Sequence, residues 1–176
     1  MKKFLFLLLL SVLTVPGAAR ERCGLTSNEA PTFFGLRLGM TPAEVKSVFG
    51  KSLKLKIRKE GTFFQNFIAK PPPAFLPGAR ALYLRFFDYK LYQIEIFYEV
   101  KNKNGAGEPQ TLAEFVRVLS ADKNLPDAFR ENENDALELK CAGFSLVADN
   151  VLNPRIELTD EATRARFEES ERRKKR

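Results

Sequence analysis

The groups able to do chemistry in this chain are carboxylates and two cysteines, because it contains no histidine. Without an imidazole there is no Ser-His-Asp or Cys-His relay, no histidine-ligated zinc and no side chain that ordinarily shuttles protons near neutral pH. Paired carboxylates are what remains for acid–base work. Glu95 and Glu99 fall on one face of an expected strand, with Asp88 in the adjoining turn, but alternating Glu along a strand reads first as its wet side. The run ENEND, Glu131 to Asp135, lacks the spacing of an EF-hand loop and is accounted for by turn chemistry. There is no glycine-rich phosphate loop. No catalytic residue, cofactor or metal ligand is assigned, and the expectation is a protein that is not an enzyme.

Cys23 and Cys141 are the only cysteines, one near the start of the chain and one far along it, with no CxxC spacing. A pair of this kind in an oxidising compartment reads as one disulfide. Closing a loop of more than a hundred residues stabilises a fold by about 4 to 5 kcal/mol in the chain-entropy account. It also ties down an otherwise loose N-terminal segment.

The compartment is legible in residues 1–19. Lys2 and Lys3 precede a mainly apolar run from Phe4 to Val15, and Gly17, Ala18 and Ala19 supply small side chains where a signal peptidase reads. The run is too short to span a bilayer, and Pro16, Gly17 and the charged Arg20, Glu21 and Arg22 end it. The expectation is a signal peptide over 1–19, cleavage after Ala19, and a periplasmic or extracellular protein. Charged residues in front of Cys23 argue against a lipid-modified cysteine.

Export changes the meaning of a formal charge of +7. Setting aside Lys2 and Lys3 at one end and Arg172, Arg173, Lys174, Lys175 and Arg176 at the other leaves 22 basic against 22 acidic residues. A balanced body offers no broad footprint for nucleic acid, so no specific nucleic-acid binding is expected. The basic run reads as a charged C-terminal helix or a frayed, solvated tail over 160–176, able to make weak contact with anionic surfaces.

The elements that must position these groups read as α+β, short helices packed on antiparallel sheet. Thr41, Pro42, Ala43 and Glu44 open a helix with a capping box, Val45, Val48 and Phe49 form its apolar side, and Gly50 ends it. SLKLKIRK follows, with Leu53, Leu55 and Ile57 alternating with cations as a half-buried strand. ALYLRFFDYKLYQIEIFYEV reads as a hairpin turning at Asp88, Tyr89 and Lys90, with Tyr92, Ile94, Ile96, Tyr98 and Val100 on one face of its second arm. Residues 101–110 form a polar connecting loop, and TLAEFVRVLS then opens a second helix followed by ALELKC, FSLVAD and RIEL as strands. A first helix-plus-strands unit over 20–100 and a second over 111–159 make a tandem repeat one reading. Two unrelated capping boxes that share letters are the other.

The entry GLRLGMTPAEVKSVFG, Gly35 to Gly50, followed by antiparallel strands in a chain with an export signal, resembles the BamE-like superfamily of small bacterial envelope proteins. That superfamily is similar in fold to the beta-lactamase inhibitor protein, two tandem helix-plus-sheet units. The resemblance implies a non-catalytic module that binds another protein in the cell envelope. A partner surface is sought in GTFFQNFIAKPPPAFLPG, Gly61 to Gly78, which three consecutive prolines make part extended loop. Its aromatics either fold back on the core or form an apolar patch, with Phe63, Phe64, Phe67 and Phe75 as candidate anchors. The function expected is an exported protein-binding or scaffold module, the alternative a carboxylate-dependent hydrolase acting on an envelope polymer.

Overall fold

A computed structural model describes residues 23–49, 62–67, 79–98, 111–150 and 154–176, with the backbone alone for 62–67. The expected signal peptide, the strand expected at 52–58, the triproline stretch with Phe75, and the loop expected at 101–110 lie outside the described residues.

The fold is α+β, helices packed on an antiparallel sheet. Helix α1 (Pro42–Phe49) precedes strands β1 (Thr62–Phe67), β2 (Ala79–Phe87) and β3 (Lys90–Tyr98). Helix α2 (Leu112–Lys123) precedes a two-residue β4 (Arg130–Glu131), then β5 (Leu137–Lys140), β6 (Phe144–Asp149) and β7 (Arg155–Asp160), and α3 (Glu161–Lys174) follows. The seven strands form one sheet in the order β1-β2-β3-β7-β6-β5-β4. Helices α1 and α2 each precede a meander of strands, and the two meanders join edge to edge where β3 pairs antiparallel with β7.

Register explains the core. Ile94, Leu158, Leu146 and Leu139 are direct partners across β3, β7, β6 and β5, and Ile96, Ile156 and Ala148 form the next row. All are at most 1% exposed, and Val45 and Phe49 of α1 with Val116 and Leu119 of α2 complete the same apolar cluster. Burying each such aliphatic side chain is worth about 1.5 to 3 kcal/mol, so this face supplies most of the driving force.

The lead-in to α1 acquires a structural reason. Phe33 and Leu36 exchange backbone hydrogen bonds of 3.0 and 2.8 Å around Phe34 and Gly35, both at positive φ, the geometry of a two-residue hairpin turn. Gly39, at φ 81°, donates to the carbonyl of Leu91, and Met40 accepts from the Leu91 N–H, both at 2.8 Å. Leu36, Leu38 and Met40 are buried between these ties. The capping box then forms as expected: Glu44 accepts from the Thr41 N–H at 2.7 Å, and its own N–H donates to Thr41 Oγ1 at 3.3 Å. The Thr41 backbone N–H, then its hydroxyl, hold the Glu44 carboxyl below its ordinary pKa.

The hairpin turn is tighter than the sequence suggested. Phe87 pairs with Lys90 across Asp88 and Tyr89 alone, both at positive φ. A register shift between Arg85 and Phe86 leaves Tyr92 without a partner residue. Beyond that bulge Tyr92 turns away from Ile94 and Ile96 toward the opposite face, where it stacks on Phe167 of α3 at 5.7 Å. The single-face reading of the second arm is corrected accordingly, since Leu91 to Ile96 are all buried and β3 is covered on both sides.

Cys23 and Cys141 are joined by a disulfide, with Cα atoms 4.3 Å apart and 118 residues of sequence between them. The segment after Cys23 is also held by hydrogen bonds: Ala142 N–H to the carbonyls of Cys23 and Leu25 at 3.1 and 3.0 Å, and Ser27 Oγ to the Gly143 carbonyl at 2.8 Å. A Cβ at Gly143 would lie 2.4 Å from the Ser27 backbone N, so only glycine permits the approach. Among the described residues no helix is long and apolar enough to cross a membrane.

Candidate functional site

Alternation sends the odd-numbered residues of β3, β6 and β7 to the face opposite α1 and α2. There the register aligns Gln93, Thr159 and Ser145 in one row, Glu95, Glu157 and Val147 in the next, and Phe97, Arg155 and Asp149 in the third. Glu95 is 8% exposed. The expectation that it lies on a wet face is wrong: β3 is a central strand, and the second meander extends the sheet past it.

Glu95 and Glu157 stand directly opposite one another, a like-charge pair that would oppose strand pairing. Arg155 resolves the conflict. Its guanidinium donates to Glu95 at 2.5 Å and through Nε to Asp149 at 2.8 Å, with Glu157 at 3.8 Å. Burial disfavours the Arg155 cation, but the hydrogen bonds and charges of Asp149 and Glu95 outweigh it, so its pKa stands above the ordinary arginine value. Its planar group also lies 5.9 Å from the Phe97 ring, which meets Tyr83 edge-on at 5.3 Å. Gln93 donates to Glu157 and, at 3.2 Å, to Thr159 Oγ1. The remaining oxygen, Gln93 Oε1, is buried with no partner among the described residues. Ser145 Oγ donates to Glu161 at the start of α3.

The arrangement constrains chemistry. A glycosidase sets two carboxyl groups on either side of a space for the scissile bond. Here a guanidinium occupies the space between Glu95 and Asp149. The hydroxyls of Ser145 and Thr159 meet carboxylates with no imidazole to relay a proton. The cluster joins β3 of the first meander to β6 and β7 of the second, which makes it a seam of charge between two halves of the sheet.

Only Glu95 of this cluster was singled out in the sequence. Arg155, Asp149, Glu157, Gln93 and Thr159 escaped because what unites them is cross-strand register, which no local window contains. Their shared odd parity in YQIEIF, SLVAD and RIELTD was the one available signal.

The other expected positions distribute as follows. Phe63, Phe64 and Phe67 lie on β1, paired with Arg85, Leu84 and Ala81, so this part of the aromatic segment is strand and not loop. ENEND is a turn: Asn132 Oδ1 accepts from the Asn134 and Ala136 N–H groups at 2.9 and 3.2 Å, and Asp135 takes positive φ. Among the described residues no group of three His, Cys, Asp or Glu side chains could hold a metal. Of the basic run, Arg172, Arg173 and Lys174 belong to α3, and Lys175 and Arg176 follow it. That helix is capped by Asp160, which accepts from the Thr163 N–H at 2.8 Å.

Among the described strands the sheet ends on two unlike members. β4 is two residues, Arg130 and Glu131, both charged and exposed. β1 at the other end is six residues long, TFFQNF, with no charge and no proline. Among the described strands β1 pairs with β2 only.

Comparison of the chain with protein families, with curated proteins and with solved structures finds no match.

Proposed function

We propose that this chain is an exported, non-catalytic protein-binding module of the bacterial cell envelope, engaging its partner by strand addition at β1. The observation that carries the reading is the contrast between the sheet's edges. Natural sheets blunt an edge by keeping it short and charged, as β4 is. Among the described strands the other end of the sheet is β1, longer, uncharged and aromatic, the form that recruits an extended segment of another protein by main-chain pairing. Phe63, Phe64 and Phe67 then act as anchors in β1, since aromatic side chains bury the most area on binding. The Cys23–Cys141 disulfide and the leader-like residues 1–19 support an oxidising compartment. The resemblance of Gly35 to Gly50 to BamE-like proteins supports the envelope. The hydrolase reading has weaker support, because Glu95, its best carboxylate, is committed to Arg155.

The test is crosslinking capture from envelope extract. The native chain and the opposite-edge control Arg130→Ala with Glu131→Ala should retain one common partner. Phe63→Ala with Phe64→Ala should lose it while keeping native circular dichroism. Equal capture by the Phe variant rules out β1 as the docking edge. A Glu95-dependent hydrolysis of envelope polymer would replace the reading altogether.

A further inference from the structure

Helix α3 carries a second, independent surface. We propose that its C-terminal end, Arg172 to Arg176, binds the anionic phosphate headgroups of a membrane surface and so holds the protein reversibly against a bilayer.

Three observations combine. First, the positive charge is concentrated: the rest of the chain after residue 19 is balanced, and the whole excess sits in five consecutive cations, all exposed. Second, the helix that carries Arg172, Arg173 and Lys174, with Lys175 and Arg176 directly after it, is fastened to the sheet. Phe167 packs against Phe87 and Tyr92 with ring centroids 5.7 Å apart in both pairs, Arg166 reaches Asp88 at 3.5 Å, and Asp160 caps the helix. Third, the cations exceed what the helix can use. One or two satisfy the negative end of the macrodipole. Glu168, Glu169 and Glu171 pair with Arg172, Arg173 and Lys174 at 3.9, 2.5 and 3.0 Å, yet residues 161–176 still hold seven cations against four anions.

A single pole suits a plane. A duplex reader needs a stripe or patch that follows a groove, whereas a planar anionic surface is engaged by one end of a molecule. α3 has no large apolar residue left for insertion, because Phe167 packs on the sheet. The contact is therefore electrostatic and salt-sensitive, worth about a fivefold change in partition per cation.

The oxidised chain is sedimented with vesicles of phosphatidylcholine alone or mixed with phosphatidylglycerol. Binding is expected only to the mixed vesicles, and it should fall steeply as the Debye length shrinks from about 30 Å at low salt to about 8 Å at physiological salt. Lys174→Gln, Lys175→Gln and Arg176→Gln together should weaken it about 100-fold. Glu168→Gln, Glu169→Gln and Glu171→Gln should tighten it, a change that a purely helix-stabilising role for the cations does not produce. Circular dichroism checks that each variant keeps its fold. No binding to mixed vesicles at low salt, equal binding to phosphatidylcholine, or an unaltered triple Lys/Arg variant overturns the proposal. Tighter binding to duplex DNA than to mixed vesicles overturns the membrane assignment.

Discussion

Beneath α1 and α2 the sheet presents Ile94, Leu158, Leu146 and Leu139 in a row, meeting Val116 and Leu119 through carbon alone. One residue along each of β3, β7 and β6 the side chains point the other way, and the same three strands present Glu95, Glu157, Arg155 and Asp149. The first face is non-directional and tolerates any apolar group of suitable volume. The second demands one cation in one place, because three carboxylates sit around it. Stability and uniqueness are thus separated by face: hydrocarbon drives collapse, and the charge seam fixes which meander meets which and in what register.

Two substitutions test that division at its centre. Leu146→Ala, at a site with no solvent exposure, should cost about 2 to 5 kcal/mol, through lost transfer energy and the cavity left behind. Urea unfolding of the oxidised protein measures it. On the opposite face Arg155→Met should cost about 2 kcal/mol. That is less than the 3 to 5 kcal/mol typical of breaking a fully buried pair, because the Arg155 side chain is 29% exposed and water relieves the orphaned carboxylates in part. Adding Glu95→Gln and Asp149→Asn to Arg155→Met should restore stability, whereas each carboxylate change alone should lower it. A cost for Arg155→Met within about 0.5 kcal/mol, the range of an ordinary surface change, would show the seam to be ornamental.

The two faces were not equally legible in the sequence. The apolar face is written locally: Ile94 and Ile96 alternate, Thr41 and Glu44 cap α1, Thr111 caps α2, and each signal fits within a few residues. The polar face is written across the chain, since Glu95 meets Arg155 sixty residues away only once β3 has paired with β7. The same limit explains the misread of Glu95. Alternation tells which side a residue takes, but not that a second meander will extend the sheet and bury that side. Gly35 and Gly39 lay between the two cases. They entered the reading only within the stretch that carries the resemblance, and the reason for Gly39, a hydrogen bond to Leu91 at the start of β3, needed the fold. Likewise, a run of five cations gave no hint that Phe167 would fasten the helix carrying them.

Alkaline pH should act through the apolar face. Tyr98, at the end of β3, meets Phe115 of α2 edge-on at 5.4 Å. Burial, aided by the charge of Asp122, pushes its phenol up to about 12 from 10.0. A raised folded-state value means the stabilisation is intact below pH 10.0 and is lost as pH rises through about 12. Ultraviolet titration should show a tyrosine ionising near pH 12, together with a fall in stability over that window, and Tyr98→Phe should remove that ionisation and reduce the fall, leaving the part due to Tyr92, whose phenol pKa is also raised by burial. A stability curve that stays parallel for native and Tyr98→Phe protein across the window would detach Tyr98 from the effect.

The smallest expected effect discriminates most sharply between the faces. α2 rests on buried Val116 and Leu119 and is capped by Thr111, which accepts from the Glu114 N–H at 3.2 Å. α3 buries no residue. It holds to the polar face through Phe167 and through Asp160, whose carboxylate satisfies the Thr163 N–H and faces the positive end of the helix. Thr111→Ala and Asp160→Ala remove comparable caps, each worth about 1 kcal/mol. Their consequences should nonetheless differ in kind. With apolar contacts to hold it, α2 should lose global stability, its amides losing protection only in step with those of the sheet. α3, with little packing to fall back on, should open locally. Amide hydrogen exchange should therefore quicken along Ala165 to Lys174 in Asp160→Ala, with the sheet unchanged and vesicle binding weakened in step, because the cations of α3 would no longer be held together. Equally small quickening of exchange in both helices would mean that α3 is anchored as firmly as α2, and that the two faces differ less than their side chains suggest.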